Sequence, residues 1–322
     1  MRAIVTGGAG YIGSQLAYDL HRRYPEWRIT VIDNEFRGSF SHLKAELESD
    51  RVDLVKADIA DGDRMGEIFK ERPDIVFHLA AVPGLELCSR YPRKSVLANV
   101  YGTLCLLEAA VRADVSRFVF TSSMAVYGAH EGPLTESLPP NPINPYGIQK
   151  MVAEKLLEAY SREQGLDAVA LRVGNVYGVG LYTDWITVIP KFVRCAVEGK
   201  PLTVYGNGGQ ARDFIHIRDV VRAIERAATA RKIDGHAINV ASGKSTTINE
   251  VVEVVKRVTR TKLRKDVGVS HVEPRRGEVY LPRFEVSLEK ATRLLGCRAT
   301  VSLHEGVEGL FDYALESQLL RD

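Results

Sequence analysis

Tyr146 and Lys150 stand four residues apart in PYGIQK (145–150), and no other tyrosine of the chain has a lysine at that distance. On a helix this spacing puts both side chains on one face. An unperturbed phenol, with a pKa of about 10, is a poor base at neutral pH; a nearby ammonium favours the phenolate and lowers that value. The pair therefore reads as a proton acceptor tuned by its neighbour. Upstream, TSSMAVYG (121–128) puts Ser122 and Ser123 at the end of the apolar run RFVF. Met124 and Ala125 follow, so the hydroxyls have hydrogen bonds to offer and no carboxylate beside them.

A second chemistry comes from the N-terminus. TGGAGYIGS (6–14) follows a β-branched run and opens an amphipathic stretch, with glycines at 7, 10 and 13. Glycine is needed there for a tight turn, for close approach of backbone to a pyrophosphate, and for close packing of helix on strand; the phosphates meet the helix N-terminus. A dinucleotide is implied, and a positive nicotinamide ring would further favour phenolate. Asp33 ends the next strand, 20 residues after Gly13. A carboxylate there accepts both ribose hydroxyls and repels a 2′-phosphate, so NAD is expected over NADP. Arg37 stands close enough to weigh the other way. Asp58, ending the third strand, can bond the adenine amino group.

These groups need a frame. AIVT (3–6), ITVID (29–33), DLVKA (53–57), DIVFHLA (74–80), RFVFTS (117–122) and AVALRVG (168–174) read as strands. Stretches 11–24, 63–71, 94–113 and 145–163 read as helices. Such alternation predicts an α/β fold, a doubly wound parallel (Rossmann) sheet with right-handed crossovers and both faces covered. After Asn175 the rhythm loosens at Pro190, Pro201, Gly206, Gly208 and Gly209. Short strands at 202–205, 214–217 and 239–242, with helices at 219–228, 248–258 and 301–315, predict a smaller mixed α/β lobe. The expected division is a dinucleotide domain over 1–175 with a return segment at about 214–241, and a substrate lobe over 176–213 and 242–322.

Composition narrows the classes. The chain has 322 residues, 45% hydrophobic and 26% charged, as in a soluble globular protein with a sizeable core. Its formal charge of +2 is interspersed, with no basic stripe for nucleic acid. Met1-Arg2 runs straight into AIVTGG, leaving no room for a leader, and no apolar run approaches a membrane span of ~20 residues. A cytoplasmic protein without nucleic-acid or membrane partners is expected. Cys88, Cys105, Cys195 and Cys297 lack metal-ligand spacing and read as small buried hydrophobes, so no metal is expected. His78 and His216 sit on apolar strands and read as satisfied core or cofactor-side histidines.

Taken in order, TGGAGYIG, VIDN, HLAA (78–81), TSS followed by VYG, YGIQK, RVGNVYG (172–178) and RDFIHIRDVV (212–221) resemble the extended short-chain dehydrogenase/reductases. Within them the chain is most similar to the nucleotide-sugar 4-epimerase and dehydratase branch, out to about Gly296. The resemblance implies that Tyr146 is the general base, that Lys150 holds the nicotinamide ribose and that Ser123 bonds the sugar oxygen being oxidised. It implies NAD contacts from Gly7, Gly10, Tyr11, Ile12, Gly13, Asp33, Asn34, Asp58, Ile59, Leu79, Ala80, Ala81, Asn99 and Thr121, besides Tyr146 and Lys150.

Dehydratases of that branch carry an Asp-Glu pair after the Ser/Thr, and decarboxylases a Glu at the second of these positions. Met124 and Ala125 cannot transfer a proton, and acid–base assistance is typically worth about 10²–10⁴-fold. Inversion at C4 needs only one base, one hydrogen-bonding serine and a tightly held cofactor. The expected activity is NAD-dependent 4-epimerisation of a nucleoside-diphosphate hexose, with UDP-sugars foremost. A ketoreductase, an epimerase at another carbon, and a non-catalytic NAD-sensing protein are the alternatives.

Rotation of a keto-sugar requires a clamped diphosphate, and arginine's fork suits that task. Arg212 and Arg275 align with pyrophosphate ligands of the family, with the adjacent Arg276 as an alternative to the second. Asn175 matches a phosphate or sugar contact, and Val204 and Tyr205 in LTVYGNG match the nucleobase segment. At the wall near the sugar C2, either Pro282, which leaves room for an N-acetyl group, or Phe284, which does not, is implied. Glu86 and Cys88 stand where related uronic-acid epimerases carry the Arg and Ser of Gly-Val-Arg-Tyr-Ser. Glu86 is thus expected to repel a sugar carboxylate and able to accept hydroxyls of a neutral sugar. Stretches 94–113 and 145–163 hold more apolar residues than one buried face uses, and the resemblance implies that they pair across a two-fold axis in a homodimer.

Overall fold

The computed structural model describes residues 1–317 apart from 48, 131, 231–232, 234–236 and 275–279. In chain order its strands are β1 (Arg2–Thr6), β2 (Arg28–Asp33), β3 (Val52–Lys56), β4 (Ile75–His78), β5 (Arg117–Ser123), β6 (Ala168–Val173), β7 (Asn175–Tyr177), β8 (Leu202–Tyr205), β9 (Ala211–His216), β10 (Ala237–Val240), β11 (Ser245–Thr247) and β12 (Val269–Val272). Seven of them form one sheet in the order β10-β6-β5-β4-β1-β2-β3, with every neighbouring pair parallel.

Successive strand residues point to opposite faces, and here both faces are apolar. Ala3, Val5, Phe77 and Val119 pack with Leu16, Leu20, Val220 and Ile224 of helices Tyr11–Arg23 and Ile217–Thr229. Ile4, Val76, Phe118 and Phe120 pack on the other side with Met65, Leu106, Leu107 and Leu157. The sheet is therefore doubly wound. Strand order reverses where β1 is flanked by β2 and β4, and the crevice at the carboxyl ends of those strands is where such sheets bind ligands.

The chain leaves the sheet after β6 and comes back. Helix Ile217–Thr229 lies on the sheet, and β10 pairs with β6 in the register Ala237↔Ala170. Asp213, 1% exposed, ties the return: its carboxylate accepts from the backbone N–H of Ser242 and of Gly243, both at 2.7 Å. A third core joins Phe192, Leu202, Val204, Val255, Leu310 and Phe311, drawn from helices Val188–Val197, Ile248–Leu263 and Leu303–Glu316 and from β8. Capping boxes, Thr247 with Glu250 and Ser302 with Glu305, start the last two helices.

Several elements differ from the sequence reading, two of them in kind. Pro190 is not a breaker; it sits in the first turn of Val188–Val197, where its missing N–H costs no intrahelical bond. The long helix spans Pro92–Arg112 and contains a π-helical segment at Leu97–Gly102. By length and composition this helix could cross a membrane, although no run of the sequence is apolar throughout at that length, and half of its most apolar window is buried inside the fold.

Candidate active site

One cleft of about 800 Å³ runs from the glycine loop to Arg212 and Phe284. Gly7 begins it with φ +70°, and a Cβ there would come within 2.5 Å of the Ala80 backbone nitrogen. A Cβ on Gly13 would come within 2.2 Å of the Gly7 carbonyl oxygen. The loop is thus stripped of side chains where it meets the first helix and the segment after β4. Gly10, Tyr11, Ile12, Leu79, Ala80 and Ala81 line the cleft beside it. Tyr11 is anchored by donating to the Gly178 carbonyl at 2.6 Å.

Asp33 accepts from the Ala9 N–H at 3.0 Å through one oxygen and from the Glu35 N–H at 2.7 Å through the other. Each oxygen keeps a second lone pair for a ribose hydroxyl. Burial pushes the carboxyl upward, against the pull of those two bonds. Arg37 is drawn away from any 2′-phosphate by an ion pair with Asp184 at 2.9 Å. Asn34, Asp58 and Ile59 line the same end; the Asn34 amide donates to Asp58 at 2.9 Å, and Asp58 accepts from the Ala60 N–H at 3.0 Å. A bare glycine cradle at a helix start, followed by a carboxylate with spare acceptors, fits a dinucleotide without a 2′-phosphate.

Further along, Thr121, Ser123, Tyr146 and Lys150 line the cleft together. Asn144 caps the helix Pro145–Gln164 by accepting from the Gly147 N–H at 2.9 Å, and that helix presents Tyr146 and Lys150. Lys150, 3% exposed, donates to the Thr121 carbonyl at 2.7 Å. Burial holds it down at about 8, while Cys88 and Glu154 act in the opposite direction. The Tyr146 phenol departs from the sequence expectation. Burial pushes it well above its usual range, Cys88 adds to the rise, and only the nearby Ser123 hydroxyl pulls it down. Lys150 stands 5.9 Å from the phenol ring centre with its ammonium turned to Thr121, so desolvation outweighs it.

The structure separates other expected site residues. Asn99 does not reach the cleft: its amide oxygen accepts from the Val82 N–H at 2.7 Å, and its amide nitrogen donates to the Val82 carbonyl at 3.0 Å and to Gln149 at 2.7 Å. It braces the loop behind the cofactor wall from within the π-helical segment. Val204 lies in the third core at 0% exposure, because alternation along β8 sends Thr203 and Tyr205 to the cleft instead. Glu86, Asn175 and Arg212 line the cleft, the first two exposed. Arg275 and Arg276 lie outside the described residues. Phe284 lines the cleft, whereas Pro282 lines a separate surface pocket with Arg283 and Glu285. His78 is bonded to Thr6 and Thr103, each at 2.9 Å, and His216 accepts from the Arg218 N–H at 3.2 Å, as core histidines do.

Fold and cleft together define a dinucleotide-dependent enzyme whose reacting end holds a serine, a tyrosine and a buried lysine. A model of the NAD dependent epimerase/dehydratase family matches residues 3–241, and the chain belongs to that family; its cofactor is NAD. It is 32% identical over 311 residues to the UDP-glucose 4-epimerase of Mycolicibacterium smegmatis, covering 95% of this chain and 96% of that one. It is also 29% identical to the mouse dTDP-D-glucose 4,6-dehydratase, over 95% of this chain and 86% of that one. Among solved structures, the UDP-glucuronic acid 4-epimerase of Bacillus cereus, in complex with UDP-glucuronic acid and NAD, superposes with a TM-score of 0.88 at 29% identity, covering 98% and 100% of the two chains. Overall likeness therefore spans both epimerases and a dehydratase, and the choice between them falls to the residues of the cleft.

Proposed function

We propose that the protein is an NAD-dependent 4-epimerase of a UDP-linked hexose. The observation that carries this reading is that Met124 and Ala125 line the cleft directly after Ser123, so neither of these two positions offers a carboxylate for elimination. NAD, when bound, supplies a hydride acceptor and a positive ring. Tyr146 takes the proton of the sugar 4-hydroxyl, Ser123 holds that oxygen, and Lys150 fixes the ribose and offers positive charge to the phenolate. Arg212 holds the diphosphate while the 4-keto sugar turns. The same groups would also serve a ketoreductase, but that enzyme consumes NADH stoichiometrically. An NAD-sensing protein has no use for a base.

The test is a panel of UDP-, dTDP-, GDP- and CDP-sugars with product analysis by NMR and no added NADH. Inversion at C4 of UDP-glucose or UDP-galactose is expected; products that form only when NADH is supplied would replace this reading by the reductase. Phe284 at the cleft favours a plain 2-hydroxyl over an N-acetyl group. Glu86 stands exposed in the first turn of Gly84–Arg90. Two carboxylates about 4 Å apart in water-like surroundings cost about 1 kcal/mol, so UDP-glucuronate is expected to be worse than UDP-glucose by about fivefold in kcat/KM. UDP-glucuronate as the best substrate of the panel would remove Glu86 from any role in selection.

The assembly is proposed to be a homodimer. Val96, Leu97 and Tyr101 of the long helix and Ile148 of the helix Pro145–Gln164 are 48, 53, 48 and 44% exposed. Contiguous apolar side chains of this kind mark a protein–protein surface. Light scattering at micromolar concentration should give twice the chain mass, and a monomer there contradicts the pairing.

A further inference from the structure

Ser122 and Ser123 are neighbours with different partners. Ser123 lines the cleft together with Tyr146, while the Ser122 hydroxyl donates to the carboxylate of Glu154. Glu154 lies one turn beyond Lys150 on the same helix and is gripped by Arg172 of β6. The Arg172 Nη2 donates to Oε2 at 2.7 Å, and its Nε approaches the two carboxylate oxygens at 3.1 and 3.2 Å. Their side chains are 9 and 5% exposed. The remaining Arg172 nitrogen donates to the Tyr127 hydroxyl at 2.9 Å, and that hydroxyl donates to Asn239 of β10 at 2.7 Å. The Asn239 amide nitrogen donates in turn to the Leu134 carbonyl at 3.0 Å.

Stability is a weak reason for such a pair. Desolvation offsets most of the attraction, and well-packed hydrocarbon of the same volume is often as stable or more so. What the pair adds is direction, because its bonds fix relative positions that hydrocarbon leaves free to slide. The parts it joins are the end of β5 carrying Ser123, the helix carrying Tyr146 and Lys150, and the turn Met124–Tyr127 that walls the cleft. Productive geometry tolerates errors of only a fraction of an ångström.

We propose that the buried Glu154–Arg172 pair is the positioning element of the reaction, clamping the Ser123 strand end to the helix of Tyr146 and Lys150 and placing a carboxylate where it supports the lysine's charge. This rests on the epimerase reading for its kinetic consequence, not for its geometry. Lys150 faces the Thr121 carbonyl and the Phe120 ring from β5, His78 from β4, Cys88 from Gly84–Arg90, and Tyr146 and Glu154 from its own helix, with Arg172 behind Glu154. Burial and Lys150 hold His78 neutral, at about 3. Neutralising Glu154 removes one of the two acids that oppose the desolvation of Lys150, so the lysine should lose its proton at lower pH.

The experiment compares wild type, Glu154→Gln and the double variant Glu154→Leu/Arg172→Leu. Thermal midpoint, kcat and KM are measured for each. In parallel, 19F NMR follows 3-fluorotyrosine at position 146, identified by its loss in Tyr146→Phe. The double variant should fold, keep KM within about twofold and lose at least about tenfold in kcat. The Tyr146 resonance should show a titration step near pH 8 in wild type. In Glu154→Gln that step should move down by about one pH unit. A folded double variant with wild-type kcat overturns the proposal, and so does a step that stays in place in Glu154→Gln. A wild type inert toward every nucleotide sugar would defeat the epimerase reading, and the NMR step would then decide the role of the pair by itself.

Discussion

Tyr146→Phe is expected to lower epimerase turnover by at least about 10²-fold while the protein still purifies with NAD. The substitution keeps the half-buried ring that lines the cleft and removes only the hydroxyl. Among the described residues, no other group lining that end of the cleft is placed to stand in for it. Met124 and Ala125 have no exchangeable proton, Lys150 is committed to the Thr121 carbonyl, and Asp33, Asp58 and Asp184 lie at the adenosine end. Glu86 is exposed at the rim and on another element. The strong upward push of burial on the phenol sharpens this expectation. Unaided, the phenol would keep its own proton at neutral pH, so its action depends on the positive charge of Lys150 and of bound NAD. Turnover, measured by conversion of UDP-galactose, is to be set against the molar ratio of NAD released on denaturation. Near wild-type turnover with full NAD would take the base role from Tyr146; loss of both would show that the hydroxyl is needed for the fold of the site.

The frame of the site was readable because a parallel sheet covered on both faces needs continuous apolar strands, and IVFH and RFVF can hardly be anything else. Side-chain types at fixed offsets from those strands then gave the glycine cradle and Asp33. What escaped were properties that arise only when distant segments meet. The spacing predicts that Lys150, together with a nicotinamide ring, lowers the phenol; burial outweighs the lysine's part, because depth of burial is not written in that spacing. Asn99 has the right type and neighbourhood for a cofactor contact, but Val82 and Gln149 claim its amide. Ser122 and Ser123 share a residue type, but alternation along β5 gives them opposite faces; the partner of Ser122 is Glu154, which Arg172 grips in turn, and both lie far on in the chain. Alternation likewise separates Val204 from Tyr205, a distinction the motif LTVYG does not make.

Gly13→Ala is expected to cost the enzyme its cofactor. The new methyl carbon would lie 2.2 Å from the Gly7 oxygen, 2.8 Å from the Gly7 carbonyl carbon and 2.9 Å from the Gly8 Cα, all of them backbone. That backbone has little freedom to retreat. The Gly7 N–H is bonded to the Ile32 carbonyl at 2.8 Å, and the Cβ direction of Gly7 points at Ala80 from 2.5 Å. Overpacking of this kind costs about 1–3 kcal/mol, and the only relief is to lift the loop from the helix start. Lifting it misaligns the N–H groups that receive the pyrophosphate, so NAD content should fall at least about tenfold even where the fold survives. Gly66→Ala is the control: it lies inside the helix Gly62–Phe69, its Cβ would meet nothing within 4 Å, and alanine should add about 0.5–1 kcal/mol there. The two variants thus carry the same chemical change with opposite expected signs in thermal midpoint. A Gly13→Ala protein that keeps wild-type NAD and midpoint would mean that the loop yields without losing its grip on the phosphates, and that close helix–strand contact is not what glycine provides at this position.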